Sequence, residues 1–439
     1  MLLTTLPSRF LDTCRVLWNW LILELAAPRM ARRGRTAHTG NRVVMLADQM
    51  PPAVSGGTYR PLSFAVGAPV NGWKMTVFAR TPNAPVSRVG ADLAQNIPPE
   101  VDVYHVADVG VSLPLLWRWD IDGGFANALK LANTVRQTCT DTPDIVLATG
   151  PRFHGFVAGL FIKKALGSKL VLDYRDEWSE CPFHFVRKGP MDRWWERRCL
   201  AASDFVIFTT PTMMEHALQC FPGLAPERCA VIENGVTVDE MAISDDEPLA
   251  AWVENDRHSI TFMGNLSDHT DPTGFLATLA RVIERRPGVG ERVCLLWVGT
   301  VQPRQRELLR RMDETKVSRI LSQVSPRDAH AMMRRSSLLL LLVNREMDRY
   351  RPGKLYSYLA TDTPILVYGS QGESGRIVKE LSAGFVVEDG DDRALEAVLD
   401  CLFSSNTQLG GKPEREAWVR DHRRDALARR LFKYLDDLL

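Results

Sequence analysis

The clearest chemical signal in the sequence is a lysine at the expected start of a helix, within RPGKLYSYLATDTPI, residues 351–365. Pro352 suits a first helical position, and an apolar stripe follows it at helical spacing. The N–H groups of Gly353, Lys354 and Leu355, beside the Lys354 ammonium, would form a diphosphate site that needs no metal ion. The alternative is an ordinary helix with a solvent-facing lysine.

A second group of polar residues follows the apolar run KLVLDY, residues 169–174, in the order Arg175, Asp176 and Trp178. Charges at the carboxyl end of a buried strand are costly unless they are paired or used. We therefore expect either a ligand site or a structural Arg175–Asp176 arrangement that holds a loop. His154, beside an earlier turn, is either a ligand-contacting residue or an ordinary surface histidine.

Glycines mark further positions where a backbone can approach a ligand closely. Gly56 and Gly57 follow the first expected strand, where a turn presents N–H groups to phosphate, although a plain turn has the same residues. This stretch is not GxGxxG, which argues against a dinucleotide cofactor. Gly264 and Gly299 also follow strands, and Asn265 is suited to donate to a phosphate or sugar oxygen.

The composition of the 439 residues is that of a folded protein, with 45% hydrophobic and 24% charged residues. The 54 basic and 53 acidic residues nearly cancel, which argues against a nucleic-acid partner. The eight cysteines include no CxxC pair, so reduced cytosolic thiols are favoured over a zinc site. The acidic pairs at 120–122 and 389–391 match only the bare spacing of metal ligands, and no metal cofactor is expected.

Short apolar runs alternate with helical patterns from residue 41 onward, which predicts parallel sheets buried on both faces. The alternation restarts after an acidic stretch, 241–250, so we place a linker near 236–250 and predict two Rossmann-like domains, 41–240 and 241–413. A polar helix over 414–439 would cap either domain or return to the first. Ligands bind beyond the carboxyl ends of such strands, which places the site in the cleft between two facing domains. The predicted strands are 42–47, 74–79, 144–149, 169–174, 204–210, 259–264, 292–299, 336–343, 364–369 and 384–390.

The first 40 residues contain an apolar segment followed by arginines. Its densest part, 16–27, is too short to span a bilayer, and no signal-peptide cleavage site follows. Ser8, Asp12, Arg15 and Asn19 fall on one helical stripe, which favours an interfacial helix on anionic lipid. The alternative is a helix docked on the protein's own surface.

From about residue 41 onward, the chain resembles the retaining family-four glycosyltransferases of the GT-B fold, and within them the surface-polysaccharide subgroup. The motifs occur in the family's order over some 350 residues. They are PPAVSGGTYRPLSFAVGAPVNGWKMTVF, TGPRFHGFVAG with GSKLVLDYRDEW, WWERRCLAASDFVIFTTP, VIENGVTVDE, MGNLSD, and RPGKLYSYLATDTPILVYG with the residues that follow it.

The resemblance implies transfer of a sugar, with retention, from a nucleotide diphosphate sugar to the hydroxyl of a lipid-linked or saccharide acceptor. It also implies a cytoplasmic protein, peripheral on the inner face of the membrane if the first helix binds lipid. Lys354 and the 353–355 amides, assisted by Gly57, would stabilise the leaving diphosphate. Arg175 and Asp176 would orient the acceptor or the transferring sugar, with His154 and Trp178 near the acceptor.

The sequence departs from the family at two positions. The family commonly carries two glutamates eight positions apart, and Arg349 and Ser357 occupy those positions here. Ser357 can still bond a ribose hydroxyl, without the strength of a charge-assisted bond, and Glu373 is expected to compensate. A weakened GT-B domain that scaffolds polysaccharide assembly at the membrane, and an epimerase of nucleotide sugars, are the alternative functions.

Overall fold

The structure of the protein, a computed structural model, describes residues 6–30, 41–109, 120–236, 257–313, 317–322, 324–404 and 413–439. The chain divides into two compact units, one containing the residues up to Glu233 with Leu427–Leu439, the other Asn234–Ala426. The acidic stretch 241–250, near which the sequence places the linker, lies outside the described residues.

The first unit contains one parallel sheet. Its strands are β1 (Asn41–Ala47), β2 (Trp73–Arg80), β3 (Asp102–Val106), β4 (Ile145–Gly150), β5 (Lys169–Tyr174), β6 (Phe205–Phe208) and β7 (Cys229–Val231). They lie in the order β3-β2-β1-β4-β5-β6-β7, so the order reverses direction between β1 and β4. Its helices are α1 (Leu6–Met30), α2 (Tyr59–Val70), α3 (Arg88–Gln95), α4 (Phe125–Thr138), α5 (His154–Leu166), α6 (Asp192–Ala202) and α7 (Pro211–Cys220).

The second unit repeats the plan with six described strands. They are β8 (His258–Met263), β9 (Val293–Val298), β10 (Ser318–Leu321), β11 (Leu338–Leu342), β12 (Ile365–Gly369) and β13 (Gly384–Glu388). Their order is β10-β9-β8-β11-β12-β13, which reverses between β8 and β11. Its helices are α8 (Thr273–Arg285), α9 (Gly288–Arg292), α10 (Pro303–Asp313), α11 (Pro326–Arg335), α12 (Gly353–Leu359), α13 (Gly372–Glu380), α14 (Asp392–Phe403) and α15 (Pro413–Asp421).

The central strands are buried from end to end, because helices cover both faces of each sheet. Every residue of β4 and of β9 is buried. The apolar runs in the sequence therefore correspond to sheet interiors, and the predicted α/β fold with two Rossmann-like domains is confirmed.

Three strands escaped sequence reasoning, and all three lie at sheet edges. β3 has the burial pattern of a largely exposed strand, β7 is three residues long, and β10 is half-buried. An edge strand packs on one side only, so it does not need the continuous apolar run that identifies a central strand.

The end of the chain forms two helices where the sequence predicts one, α15 and then α16 (Arg424–Asp437). The Val236 N–H donates to the His422 carbonyl at 3.1 Å, and the Arg424 N–H donates to the Val236 carbonyl at 2.9 Å. These bonds hold the backbone at 422–424 outside a helical ladder. Leu427–Leu439 then belongs to the first unit.

Helix α1 is docked on its own protein. Val16 and Leu23 are buried, and the Trp20 ring lies 5.9 Å from that of Phe125 on α4. The Lys164 ammonium on α5 approaches the Glu24 carboxylate to 2.6 Å. Among the described residues, no helix combines the length and apolar character that crossing a membrane requires.

Candidate active site

The sequence-predicted site residues fall into two groups, one in each unit, near the carboxyl ends of strands. The first unit contains Gly56, Gly57, His154, Arg175, Asp176 and Trp178. The second contains Gly264, Asn265, Gly299, Gly353, Lys354, Leu355, Ser357 and Glu373.

Lys354 has the environment of an anion-binding cation. It is the second residue of α12, and its Nζ lies 3.8 Å from the centroid of the Phe262 ring. No hydrogen bond or ion pair joins its ammonium to another described residue, and burial alone lowers its pKa to about 7. A bound anion would supply the opposite charge that the described residues around Lys354 do not provide.

Two glycines create the space beside this lysine. Gly264 and Gly299 have φ of +111° and +135°, in the region that side chains disfavour. A Cβ on Gly299 would lie 2.4 Å from the Gly264 carbonyl oxygen, and one on Gly264 would lie 3.6 Å from the Lys354 Nζ. The ends of β8 and β9 thus pack backbone to backbone, and Gly264 and Asn265 are exposed next to them.

The start of α12 offers fewer free amides than the sequence predicts. The Leu355 N–H donates to the Pro352 carbonyl at 2.9 Å, and its side chain is fully buried. The Leu355 N–H is therefore paired within the first turn, and its donation to an anion stays a prediction. Gly353 is exposed, and Ser357, one turn further along, is half-buried.

Glu373 is engaged inside the second unit and is not available to a ribose. It is buried, and its Oε2 accepts from the Arg351 Nη2 at 2.7 Å and Nε at 3.0 Å. Its Oε1 accepts from Arg376 at 2.7 Å. The expected compensation for Ser357 is thus replaced by an internal ion pair. Sequence reasoning overlooked Arg351. The one feature of the sequence that could have drawn attention to it is its position just before an apolar helix.

In the first unit, Arg175 holds loops together. Its Nε donates to the Gly150 carbonyl at 2.8 Å and its Nη2 to that of Pro151 at 2.7 Å, while its Nη1 donates to Gly57. Burial lowers its pKa. The guanidinium is therefore a positioning group for the segments after β1 and β4, and it holds them through backbone carbonyls and not through Asp176.

The Gly56-Gly57 turn is packed in the same arrangement. The Gly57 N–H donates to the Ser55 Oγ at 3.2 Å, and its assistance to a phosphate stays a prediction. A Cβ on Gly57 would lie 2.3 Å from the Gln49 Oε1 and 2.8 Å from the Arg175 Nη1. Gly57 thus permits close packing, whereas Gly56 is exposed with open space around it.

A buried ion pair beneath these loops escaped sequence reasoning. Arg60 on α2 donates from Nη2 to the Asp173 Oδ1 at 2.7 Å and from Nε to its Oδ2 at 3.0 Å. Thr149 donates to the same carboxylate at 2.8 Å. Asp173 is fully buried, so this pair fixes α2 against β4 and β5. The partners are distant in sequence, and nothing local indicates that they meet.

Asp176 is the carboxylate of this group that remains available. It is half-buried, and it makes no hydrogen bond with another described residue. Its pKa is raised to about 6, mainly by burial; Arg175 opposes this shift and Glu177 adds to it. Such a carboxylate is suited to accept a hydrogen bond from a ligand hydroxyl.

Trp178 belongs to the protein interior. It is fully buried, its ring stacks on Phe153 at 5.1 Å, and its Nε1 donates to the Asp192 Oδ1 at 2.6 Å. No surface of the indole remains for an acceptor, so that prediction is wrong. The sequence alone does not show whether an aromatic residue that follows a polar strand end packs into the protein interior or faces a ligand.

His154 lines a cavity at the carboxyl ends of the first strands. It is buried, its Nδ1 has no hydrogen-bond partner among the described residues, and burial lowers its pKa, which favours the neutral imidazole. Sequence reasoning overlooked the charged residues around it, of which all but Lys130, on α4, end a strand or follow one closely. They are Asp48, Arg80, Asp108, Lys130 and Arg152.

The described residues contain no group of three or more His, Cys, Asp or Glu side chains arranged to hold a metal ion. The acidic pairs noted in the sequence serve other contacts. The Asp120 Oδ1 accepts the Phe125 N–H at 2.7 Å, and the Asp389 Oδ1 accepts the Tyr368 hydroxyl at 2.9 Å.

Residues 29–235 match the family model described as a glycosyl transferase 4-like domain. No curated protein sequence matches the chain significantly.

Solved glycosyltransferase structures share the fold over nearly the whole chain. Sucrose-phosphate synthase from Thermosynechococcus elongatus has a TM-score of 0.67 and 15% identity, covering 91% of this chain and 99% of that one. HepE of Anabaena, solved with UDP-glucose, has a TM-score of 0.64 and 13% identity, covering 90% and 99%. The lipopolysaccharide outer core galactosyltransferase WaaB has a TM-score of 0.58 and 12% identity, covering 91% and 100%. The protein therefore has the GT-B fold of these glycosyltransferases, and its first unit contains a match to the glycosyl transferase 4-like domain.

Proposed function

We propose that this protein is a glycosyltransferase that moves a sugar, with retention, from a nucleotide diphosphate sugar to an acceptor hydroxyl in polysaccharide or glycolipid assembly. The observation that carries the proposal is the half-buried Lys354 ammonium on α12, which faces the Phe262 ring and has no hydrogen-bond or ion-pair partner among the described residues. HepE, which shares the fold, was solved with UDP-glucose, and this supports a nucleotide sugar as the donor.

Lys354 stabilises the negative charge that develops on the leaving diphosphate. Its low pKa in the free protein means that binding of the diphosphate restores its proton, because an adjacent anion favours the charged form. Gly353 and Gly264 let the phosphates approach the backbone, and Ser357 bonds the ribose. The proposal includes no metal ion.

Asp176 orients the transferring sugar or the acceptor by accepting a hydrogen bond from a hydroxyl. Arg175 and Gly57 position the loops around it. His154, with a neutral imidazole, contacts the acceptor, which is a lipid-linked or free saccharide. The protein acts in the cytoplasm, peripheral on the inner face of the membrane.

Calorimetric titration with UDP, GDP, ADP and dTDP tests the donor site. We expect selective binding of one nucleotide, weakened at least about tenfold by Lys354→Ala, since a charge-assisted phosphate contact contributes on the order of 1.5–3 kcal/mol. Lys379→Ala is the matched control, because Lys379 is an exposed lysine of the same unit. Equal affinities of the two variants would refute the donor site at Lys354.

A catalytically weakened scaffold is the second candidate, and one observation favours it. Ser357 stands where the resemblance implies a glutamate, and Glu373 is held by Arg351 and so does not substitute for one. Once the nucleotide that binds is known, the protein is incubated with a sugar donor carrying that nucleotide. NMR of the product's anomeric proton then separates the two candidates. A product of retained configuration supports the enzyme, whereas binding without turnover or donor hydrolysis supports the scaffold.

A further inference from the structure

Helix α1 has two apolar faces, and only one of them is covered by protein. Thr13, Val16 and Leu23 are buried, and Trp20 packs against aromatic rings of α4 and α6. The opposite face of the helix is also apolar. Its large exposed side chains, called here the outward face, are Leu17, Trp18, Leu21, Ile22 and Leu25.

The polar residues of α1 lie between these two faces. Asp12, Arg15 and Asn19 are exposed along one flank, where the Arg15 and Asp12 side chains approach to 3.6 Å. Glu24 lies on the other flank and is paired with Lys164 and Arg198. No polar residue interrupts the outward face, on which Trp18 is 63% and Leu25 67% exposed. A contiguous apolar patch of this kind marks an interaction surface.

The charges of α1, and of α6 packed against it, favour an anionic partner. Both acidic side chains of the described part of α1 are paired with basic ones. Arg197 on α6 is exposed and makes no ion pair with a described residue, and the exposed Trp194 lies beside it. The sequence adds arginines at 29, 32, 33 and 35. Basic residues beside an apolar helix face are typical of helices that lie on anionic lipid.

The size of the outward face argues against a second copy of the chain as its occupant. A stable protein interface takes about 20–30 residues from each partner. The outward face and Trp194 together contribute six large side chains. A lipid surface requires no complementary shape, and a tryptophan among aliphatic residues suits the interface between headgroups and acyl chains.

We propose that the outward face of α1 docks the protein on an anionic bilayer, with Arg15 and Arg197 at the level of the headgroups. The same helix is bound to α4 and α5 through its other face, so the first unit is held against the lipid without a hinge at α1. This inference specifies the membrane location included in the proposed function, and it stands whether or not sugar transfer occurs.

Flotation of the full-length protein with vesicles tests the proposal, using phosphatidylcholine with about a third phosphatidylglycerol to supply the negative surface charge. We expect the wild type to float and the variant Trp18→Gln/Leu21→Gln/Leu25→Gln to lose at least about tenfold in partitioning, because apolar area no longer enters the lipid. Val66→Gln/Val70→Gln is the matched control, since these are exposed valines on α2. Vesicles of phosphatidylcholine alone should bind the wild type more weakly.

The melting temperature shows whether the triple variant is folded, and Leu25→Gln alone replaces it if it is not. Equal flotation of the wild type and the outward-face variant overturns the proposal. The proposal is also overturned if the wild type is a dimer that does not float and the triple variant is a monomer. That result would show that a second copy of the chain covers the outward face. Nucleotide binding measured on the same samples separates these outcomes from a failure of the proposed function.

Discussion

The Lys354 ammonium lies 3.8 Å from the centre of the Phe262 ring, and no described carboxylate shares its surroundings. An aromatic face attracts a cation but does not replace the water that burial removes. Among the described residues, therefore, no opposite charge offsets the cost of burying this ammonium.

The first prediction concerns the pH dependence of nucleotide binding. The pKa of Lys354 is lowered to about 7 in the free protein, so the ammonium is lost as the pH rises through that value. Diphosphate binding restores the proton, and affinity for the nucleotide should therefore fall from pH 7 to pH 9. Calorimetry in buffers of different ionisation enthalpy should also detect proton uptake. A Kd that is constant over this range would contradict a role for the Lys354 charge.

The second prediction is that Asp176→Asn separates catalysis from stability. The pKa of Asp176 is raised to about 6, mainly by burial, so the ionised carboxylate lowers the stability of the folded protein above that pH. This loss of stability disappears as the pH falls from about 6 to the ordinary pKa of an aspartate. The asparagine should be at least as stable as the wild type at pH 7.5, while transfer falls at least about tenfold, because a neutral acceptor lacks the strength of a charge-assisted hydrogen bond to the hydroxyl.

Urea denaturation and initial rates, measured on the same preparation of Asp176→Asn, check both parts of this prediction. The wild-type rate should itself decline below pH 6, as the carboxylate becomes protonated. A variant that retains the wild-type rate would exclude Asp176 from the reaction.

The third prediction is that Glu373→Gln destabilises the second unit by about 3–5 kcal/mol, because it leaves the buried Arg351 without its charge partner. Glu380→Gln on the same helix is the control, since an exposed pair contributes only about 0–1 kcal/mol. Chemical denaturation measures both. A stable Glu373→Gln variant with reduced nucleotide affinity would instead support the ribose contact expected from sequence.

The fourth prediction is that Gly299→Ala damages the donor site. The added Cβ would meet the Gly264 carbonyl, and the φ of +135° disfavours any side chain, so a loss of about 1–3 kcal/mol is expected. Nucleotide affinity should fall as well, because the Gly264 backbone must move beside Lys354. Gly288→Ala is the control, as its Cβ would meet nothing within 4 Å. Thermal unfolding and calorimetry distinguish these outcomes, and equal melting temperatures would refute the close packing.

Much of the fold is visible in the sequence because a central parallel strand must be apolar on both faces. The runs that became β4, β5, β9 and β11 could be predicted on that ground, together with the strand ends at which Asp176 and Gly264 lie. The edge strands β3, β7 and β10 could not, since one open side removes the need for an unbroken apolar run.

The sequence by itself determined which residues stand at the ends of buried strands, because apolar periodicity is a local property. Only the tertiary structure decided what those residues contact. Arg175 reaches the Gly57 carbonyl and Arg351 reaches Glu373, across distances along the chain that no local pattern records. Helix α1 shows the same division. Its sequence contains two apolar stripes, and only packing against α4 and α5 decides which one is buried and which remains exposed.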